Sequence, residues 1–403
     1  MNAALAAAVT SAVPAASAWP DGALRSPTTG RPLRTDTPHS LSDGAGERWP
    51  VVDGIPFLRI GREARRDRAL AALDRGDLAA ALVALLADQD DWARTPPPDD
   101  ASLADLVAHA GRLSFRAAMD RLALGGVALY FAHRWSDPTF LAGLALLEAH
   151  WTAPRRSFEI ACGAGHYLRE LRRAGVDAAG GDVVFAKLWL ARHYVAPEAR
   201  LVCFDAAAPW PVADGTADLV HCHDALYFLP KKLHVAAEMA RIAGRGGAIL
   251  VSHAHNREAD NYSSGDPLDV PGYAALFAAP VVLYDDEEMT RALVEARPPQ
   301  PQDADSLRRA QALTLAAGSA ATMRPRAVTG GLAMPAAGTR LRRNPLYEAG
   351  TVRWPSPRYE AEYAPLATYP SATDAPETAV ASCDAGTDAA IRRRVFIDLP
   401  ERW

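Results

Sequence analysis

The chain has 403 residues, of which 49% are apolar and 23% charged, and its formal net charge is -5. At roughly 150 residues per domain this length predicts two or three folded units, and the composition is typical of a globular protein, which excludes wholesale disorder. No run of about 18 uninterrupted apolar residues is present, so we predict no transmembrane helix and no membrane partner. The acidic balance argues against a protein that coats phosphate backbones, so no nucleic-acid partner is expected.

The first residues do not predict a folded element. Met1–Ala18 is rich in alanine and ends in Ala16-Ser17-Ala18, which resembles a signal-peptidase site, but the segment lacks a basic start and is interrupted by Pro14. We therefore predict a flexible tail over residues 1–22. The four cysteines form no C-x-x-C pair and are too few for a disulfide scaffold, which favours a reducing, cytoplasmic location.

Two segments with different residue patterns follow. Residues 23–60 carry closely spaced prolines and glycines around Trp49-Pro50-Val51-Val52, which predicts a small module of strands and turns. Over residues 61–152 apolar residues recur every three or four positions, so we predict several packed helices, interrupted by the linker Thr95-Pro96-Pro97-Pro98. For these helices a lid over a binding site and plain core packing are both open.

The third segment, residues 153–256, alternates strand-like apolar runs with helical stretches. The runs are Phe158–Ala161, Val176–Gly180, Leu201–Phe204, Ala217–Val220 and Ala248–Val251. This alternation predicts an α/β fold with a parallel, doubly wound, Rossmann-like sheet, which binds ligands at the carboxyl ends of its strands.

Residues 257–403 are predicted to be a C-terminal extension that completes the sheet and contributes to the substrate pocket. The extension has a helical pattern at Asp286–Ala296 and strand-like runs at Ala312–Ala316 and Val395–Leu399.

An acidic residue followed by glycines stands where the first predicted strand turns into a helix. Gly163 and Gly165 follow Glu159, and glycines at such a turn let a ligand lie against the backbone while the carboxylate holds its polar groups. Asp182 comes at the end of the second strand, where a carboxylate accepts both hydroxyls of a ribose. Asp205 ends the third run, where it can accept from an adenine amino group.

Two other nucleotide-binding classes fit less well. A nicotinamide fingerprint needs a third glycine at the position of Leu168, and a Gly-Lys-Ser/Thr phosphate loop is absent. The acids and glycines instead resemble class I S-adenosylmethionine-dependent methyltransferases of the type 11-like kind. The resemblance covers roughly Ser157 to Asn256 and includes Glu238–Gly247 before the fifth strand, although Arg245 replaces the usual proline there.

This resemblance implies a cofactor, S-adenosyl-L-methionine, and a set of residues that bind it. Glu159, Gly163 and Gly165 would surround its amino acid moiety, and Asp182 would bind the ribose. Asp205 and Ala206 would lie at the adenine, and His223 near the methionine portion. The complete predicted cofactor set is Glu159, Ala161, Gly163, Gly165, Asp182, Val183, Asp205, Ala206 and His223.

The N-terminal module carries a second resemblance. Leu24–Leu33 and Trp49–Leu58 resemble the small Trm112-like zinc-ribbon domain, which occurs alone or fused to methyltransferases. Zinc-binding versions have Cys-Pro-x-Cys where this chain has Ser26-Pro27-Thr28-Thr29, and no replacement cysteine pair follows. A tetrahedral zinc site needs thiolates or imidazoles, so we predict a metal-free docking or lid element.

Two His-x-His pairs fall at the ends of predicted strands, one at His221 and His223 and the other at His253 and His255. Residues i and i+2 share a face of a strand, so each pair invites a metal-site hypothesis, whereas histidines within strands are often bonded core residues. We predict no bound metal. His223, His253 and His255 are instead the candidates for a catalytic base.

The function that the resemblance implies is methyl transfer to a small-molecule or glycan-type acceptor. Alignment of the reactants would supply most of the catalysis, and O-methylation is favoured. Two alternatives stay open. The Trm112-like module suggests a tRNA or protein methyltransferase, and the aromatic-rich tail from Trp354 to Tyr369 would suit a catalytically degenerate docking protein. Whether the chain forms a homo-oligomer is also open.

Overall fold

The computed structural model describes residues 18–93, 95–262, 265–319 and 322–403. Of the predicted tail, residues 1–17 therefore lie outside the described residues. Contacts divide the chain into two compact units. The first comprises the described residues up to Ala128 together with Arg155–Ala217 and Glu401–Trp403, and the second comprises Leu129–Pro154 and Asp218–Pro400.

The N-terminal module is an antiparallel sheet with strand order β1-β2-β3-β4. Its strands are Arg34–Thr37 (β1), Ser40–Ser42 (β2), Arg48–Val52 (β3) and Ile55–Pro56 (β4). Trp49 is fully buried and pairs with Leu41. Directly after β4, Phe57 forms a parallel bridge with Cys203, and the Leu58 N–H donates to the Cys203 carbonyl (2.8 Å). The module thus adds its backbone beside the strand that ends at Cys203.

Helices follow the module, as the apolar periodicity predicts. They are Glu63–Asp74 (α1), Leu78–Leu86 (α2), Asp100–His109 (α3), Phe115–Arg121 (α4), Gly126–His133 (α5) and Pro138–Ala149 (α6). Asp77, Asp99 and Ser114 cap α2, α3 and α4 by accepting a backbone N–H three residues further on. Such caps satisfy backbone donors that a helix leaves without an internal partner.

A βαβαβ segment completes the first unit. It contains Arg156–Ile160 (β5), His166–Arg173 (α7), Asp177–Asp182 (β6), Phe185–Leu190 (α8) and Arg200–Cys203 (β7). β6 pairs in parallel with both β5 and β7. The predicted cofactor residues lie at or just after the carboxyl ends of these strands. Because the carboxyl ends of parallel strands meet at one edge of a sheet, these residues share that edge.

The Gly180-Gly181 pair of β6 is required by close packing. A Cβ on Gly181 would lie 2.3 Å from Cε1 of Phe204, and one on Gly180 would lie 2.9 Å from Sγ of Cys162. Phe204 cannot move away easily, because its ring is buried against Trp210 (centroids 5.6 Å apart).

We expect Gly181→Ala to lower the free energy of unfolding by about 2 kcal/mol, the usual cost of overpacking a core. Urea unfolding followed by circular dichroism measures this loss. Gly111→Ala is the control, since a Cβ there meets nothing within 4 Å. Equal midpoints for the two variants would show that the core accommodates the extra methyl group.

The second unit contains four neighbouring sheet strands in the order β8-β9-β11-β10. The strands are Leu219–His223 (β8), Ala248–His255 (β9), Val281–Asp285 (β10) and Ala312–Ala317 (β11). β8 and β9 are parallel, whereas β11 is antiparallel to β9 and β10. Helices Lys232–Ala243 (α9), Val270–Ala274 (α10) and Asp286–Glu295 (α11) connect or flank these strands.

β9 contains a bulge where it pairs with β11. Val251 lies opposite Leu315 and Ala254 opposite Leu313, so Ser252 and His253 together oppose a single residue. His253 takes a left-handed conformation with φ of 50°. Bulges redirect side chains, and they are frequent beside active sites.

Helix α6 is a core element of the second unit. All twelve of its residues are buried, and it packs against β9, β11 and α11. Its carboxyl end holds the chain near residue 330, because the Glu148 carboxylate accepts the N–H groups of Gly330 (2.7 Å) and Leu332 (2.6 Å). Of the two interpretations left open for the helical region, core packing therefore describes α6.

The rest of the second unit is built from short elements. They are Arg340–Arg343 (β12), Tyr347–Glu348 (β13), Thr351–Val352 (β14), Pro357–Tyr363 (α12), Thr378–Val380 (β15), Ala385–Arg392 (α13) and Phe396–Ile397 (β16). Three of the strands form a sheet in the order β15-β12-β16. A separate cluster of buried tyrosines, Tyr347, Tyr359, Tyr363 and Tyr369, forms its own small core with Leu346.

The predicted strands and helices are confirmed with small shifts in their ends. The second strand extends to Asp182 and the fourth to His223, beyond the predicted ends. The helix predicted at Asp286–Ala296 and the strands predicted at Ala312–Ala316 and Val395–Leu399 are all present. Among the described residues, no helix combines the length and apolar character needed to cross a bilayer.

Candidate functional site

The loop between β5 and α7 has an unusual backbone. Ala161, Gly163 and Gly165 all have positive φ values, of 56°, 54° and 79°. Glycine adopts this region without a steric penalty, whereas alanine is strained there. Gly165 also permits close packing, since a Cβ on it would lie 3.2 Å from Cβ of Ala191. These left-handed residues form the tight turn that leads from β5 into α7.

Asp182 fixes this loop from the end of β6. Its Oδ2 accepts the N–H of Gly163 (3.0 Å), and its Oδ1 accepts the N–H of Val184 (2.9 Å). Lys187 lies 3.9 Å from Oδ1 and 3.5 Å from Asp90. Burial opposes a charge on Lys187, but Asp182 and Asp90 outweigh burial and raise its pKa. These contacts hold the carboxylate of Asp182 in a fixed orientation at the loop.

Glu159 supplies a second carboxylate beside the same loop. It lies in β5 opposite Gly180 and is only 2% exposed. Burial raises the pKa of the nearby Cys162 thiol well above its ordinary value, and Glu159 and Asp182 add to this effect. Cys162 is therefore a neutral packing residue, not a thiolate nucleophile.

Asp205 and Ala206 lie just beyond β7. Asp205 Oδ1 accepts the N–H of Ala207 (2.8 Å), which closes a turn, and the Ala206 carbonyl accepts from Nε1 of Trp210 (3.0 Å). The Phe204 N–H donates to the Asp182 carbonyl (3.1 Å), so this turn is tied to the end of β6. The structure brings the predicted cofactor residues of the first unit into one neighbourhood.

Arg59 is a member of this neighbourhood that sequence reasoning missed. It lies at the end of the N-terminal module, three residues after β4, and is 5% exposed. Its Nη1 donates to Asp88 (2.6 Å), to the Gln89 carbonyl (2.8 Å) and to the Val183 carbonyl (3.3 Å). No motif marks this arginine, because its partners come from distant parts of the chain.

The second unit has its own buried polar cluster, centred on Asp224, His253, His255 and Asp286. Nδ1 of His253 lies 2.6 Å from Oδ2 of Asp286, and its Nε2 lies 3.2 Å from Nε2 of His255. Asp224 Oδ1 lies 3.8 Å from the same Nε2 of His253. The Asp286 carboxylate also accepts from the Thr314 hydroxyl and from the N–H of His253.

Two tyrosines and an arginine surround Asp224. The Tyr130 hydroxyl donates to Oδ2 (2.8 Å) and the Tyr227 hydroxyl to Oδ1 (3.0 Å), while Nη1 of Arg134 lies 3.5 Å from Oδ2. Burial raises the pKa of Tyr130 well above its ordinary value, so the phenol keeps the proton that it donates. Burial opposes ionisation of Asp224, but His253 and Arg134 outweigh it and lower the Asp224 pKa.

The two histidines of β9 have opposite electrostatic surroundings. Burial alone would lower the pKa of His253, but Asp224 and Asp286 raise it to about 9. Burial, with the neighbouring charge of His253, lowers the pKa of His255 to about 4. The ring of His255 is stacked on Tyr227, with centroids 3.9 Å apart.

The other His-x-His pair lies in β8. Nδ1 of His223 lies 2.7 Å from the Ser252 hydroxyl, and burial lowers the pKa of His223 well below its ordinary value. Burial lowers the pKa of His221 to about 3. Both imidazoles are therefore neutral. Of the three candidate bases, His253 and His255 are brought together and His223 has a separate partner.

The residues of the first unit fit S-adenosylmethionine in their donor set. A ligand with ribose hydroxyls and an ammonium group needs carboxylate acceptors, and two buried carboxylates, Glu159 and Asp182, flank the loop. Gly163 and Gly165 have no side chains, so a ligand can approach the backbone of the loop closely at these two positions. This is the chemistry that the sequence resemblance predicts.

Comparison with known families finds a match for part of the chain. Residues 158–251 match the model of a family described as a methyltransferase domain. This part of the chain is thus similar to methyltransferase domains, and the cofactor that the match indicates is S-adenosylmethionine. The predicted α/β, Rossmann-like fold class and the predicted cofactor are thereby confirmed.

Individual relatives are more distant. The chain is 29% identical over 150 residues to a ubiquinone biosynthesis O-methyltransferase of Methylococcus capsulatus. The matched region covers 34% of this chain and 63% of the relative. A protein of the same name from Burkholderia multivorans is 26% identical over 144 residues, covering 32% and 62%. The chain thus spans less than two thirds of the length of these relatives. Haemonchus contortus phosphoethanolamine N-methyltransferase 2, solved with S-adenosyl-L-methionine, has a TM-score of 0.36 at 17% identity, covering 46% of this chain and 49% of that one.

Proposed function

We propose that this chain is an enzyme that transfers the methyl group of S-adenosylmethionine to a hydroxyl group of a small-molecule acceptor. The observation that carries the proposal is the pair of buried carboxylates, Glu159 and Asp182, beside a left-handed glycine loop in the methyltransferase domain. The names of the two curated relatives, both O-methyltransferases, support oxygen as the acceptor atom.

The protein's part in this reaction is mainly to bind and orient. When bound, S-adenosylmethionine supplies a methyl group on a sulfonium, which is a good leaving group. Glu159 and the loop would hold the amino acid end, while Asp182 and the turn at Asp205 would hold the nucleoside. Holding two reactants at near-attack distance is worth roughly 7–11 kcal/mol, so little further machinery is required.

An acceptor hydroxyl must also lose a proton as the new carbon–oxygen bond forms. We assign this task to the polar cluster of the second unit. His255 is the proposed proton acceptor, because its lowered pKa leaves the ring neutral, whereas His253, with its pKa raised to about 9, could accept a proton only in its deprotonated form. Asp286 orients His253 through Nδ1, which directs Nε2 of the ring toward the cluster. His223 is the third candidate, oriented by Ser252.

A turnover assay tests the proposal. We expect the purified chain to convert S-adenosylmethionine to S-adenosylhomocysteine only when a phenol or catechol is added, and mass spectrometry should find the methyl group on oxygen. Glu159→Gln should reduce the rate by at least tenfold, because the charged acceptor is lost.

Asp177→Asn is the matched control for this assay, since Asp177 begins β6 and pairs with Arg172 at the far end from the loop. It should retain the native rate. Absence of turnover across a broad panel of hydroxyl acceptors, or methylation of nitrogen instead, would contradict the proposed reaction.

We further propose that residues 23–60 are a fused, metal-free counterpart of Trm112. The positions of the lost thiolates are occupied by hydroxyls, and Ser26 Oγ donates to Glu47 (2.8 Å) while the Thr28 hydroxyl bonds the same carboxylate. This network supports a module held by hydrogen bonds in place of a metal. Since Arg59 extends from the module to the Val183 carbonyl, we expect Arg59→Met to weaken cofactor binding as well.

A further inference from the structure

We propose that Asp224, His253 and His255 form a binding site for a divalent transition-metal ion in the second unit. One oxygen of Asp224 and one nitrogen of each histidine lie within 4.8 Å of one another. All three side chains are almost completely buried, at 7%, 8% and 3% exposure. The inference departs from the sequence-based prediction that no metal is bound.

The distance between the two imidazoles is the first argument. The two Nε2 atoms face each other at 3.2 Å. A zinc ion with bonds of about 2.0 Å, at the tetrahedral angle, holds two nitrogen ligands roughly 3.3 Å apart. Without an ion, the same contact needs one shared proton between the rings, which is the alternative that the experiment distinguishes.

The surrounding hydrogen bonds are the second argument. A histidine that binds a metal through one nitrogen usually donates its other N–H to a carboxylate, and this fixes the tautomer. His253 has such a partner, since Asp286 Oδ2 lies 2.6 Å from Nδ1. Each oxygen of Asp224 is likewise oriented by a tyrosine hydroxyl, from Tyr227 and Tyr130. Two of the three ligands thus have their outer hydrogen bonds in place, whereas Nδ1 of His255 has no such partner among the described residues.

The backbone is the third argument. Asp224 and His253 both have left-handed conformations, with φ values of 53° and 50°. The Asp224 N–H donates to the Ser252 carbonyl (2.9 Å), which ties the end of β8 to the bulge of β9. Strained residues of this kind cluster at ligand sites because the surrounding structure must hold them there.

The three ligands determine which metal ions fit the site and what a bound ion could do. Two imidazoles and one carboxylate suit zinc, iron, manganese or cobalt, and three protein ligands leave open positions for water or a bound oxygen. A metal there would lower the pKa of a hydroxyl that it binds. That role rests on the proposed function, in which the acceptor loses a hydroxyl proton, whereas metal binding itself does not depend on it.

Metal binding by the full chain tests the site directly. We expect the protein, after treatment with a chelator and its removal, to bind one equivalent of Zn²⁺ by calorimetry and to give a visible Co²⁺ spectrum. His255→Gln and Asp224→Asn should each weaken zinc binding by at least 100-fold. Asp286→Asn should weaken it by about 10- to 100-fold through the orientation of His253.

His234→Gln is the control, because His234 is a half-buried histidine of α9 that lies outside the cluster. It should bind zinc like the native chain, and circular dichroism of every variant should match the native spectrum. If the native chain binds neither zinc nor cobalt, or if the ligand variants bind as it does, the proposal is wrong. If the chain binds zinc but transfers no methyl group, the metal site is supported and only its proposed role in the reaction is wrong.

Discussion

Asp182→Ala is expected to weaken S-adenosylmethionine binding by about 100-fold or more. The substitution removes a carboxylate that would accept the ribose hydroxyls, and hydrogen bonds to a charged group are worth about 1.5–3 kcal/mol each. It also removes the acceptor of the Gly163 and Val184 N–H groups, so the loop loses its anchor. A loss of about 2.8 kcal/mol corresponds to 100-fold in affinity.

Isothermal titration calorimetry with S-adenosylmethionine and S-adenosylhomocysteine measures this loss. Asp177→Asn changes a carboxylate at the opposite end of the same strand, which is paired with Arg172, and should bind both ligands within about twofold of the native chain. Native-like affinity in Asp182→Ala would mean that the cofactor lies elsewhere.

Arg59→Met is expected to lower the free energy of unfolding by about 3 kcal/mol. Asp88 is 1% exposed, and removal of its closest partner leaves a buried carboxylate with weaker compensation. Arg62 and Arg65 lie 3.2 Å and 3.5 Å from the other oxygen of Asp88, which keeps the cost at the lower end of the range for a broken buried pair. The carbonyls of Gln89 and Val183 lose a donor as well.

Urea unfolding of Arg59→Met and Arg62→Met separates the two arginines. The side chain of Arg62 is 35% exposed, so its loss should cost about 1 kcal/mol or less. Calorimetry on the same preparations should show weaker cofactor binding for Arg59→Met alone. Equal stability losses in both variants would show that Asp88 is held by its arginines as a group, and unchanged cofactor affinity would separate Arg59 from the loop.

The parallel strands could be predicted from sequence because each is a short apolar run with turn residues at its ends. β10 was missed for a physical reason. Val281–Asp285 is stabilised by antiparallel pairing with β11, some thirty positions later, and a local pattern does not reveal a partner so far along the chain. The same limit applies to the paired strands β12 and β15.

The residues of the candidate site also differ in whether a local sequence pattern could reveal them. Glu159 and Asp182 could be predicted to lie beside the same loop because each stands next to a strand and the turn that follows it. Asp286 was missed because it meets His253 across 33 positions of the chain. The sequence placed His253 and His255 on one face of a strand, but the bulge that brings their Nε2 atoms together depends on pairing with β11.

The left-handed conformation of His253 sets stability against activity. A bulky residue held there costs of order 1–3 kcal/mol, which the hydrogen bonds to Asp286 must offset. Selection for thermal stability alone would favour glycine or asparagine at this position, whereas the proposed roles of His253 require the imidazole. Variants of this chain evolved only for heat resistance are therefore the ones in which we expect this position to change.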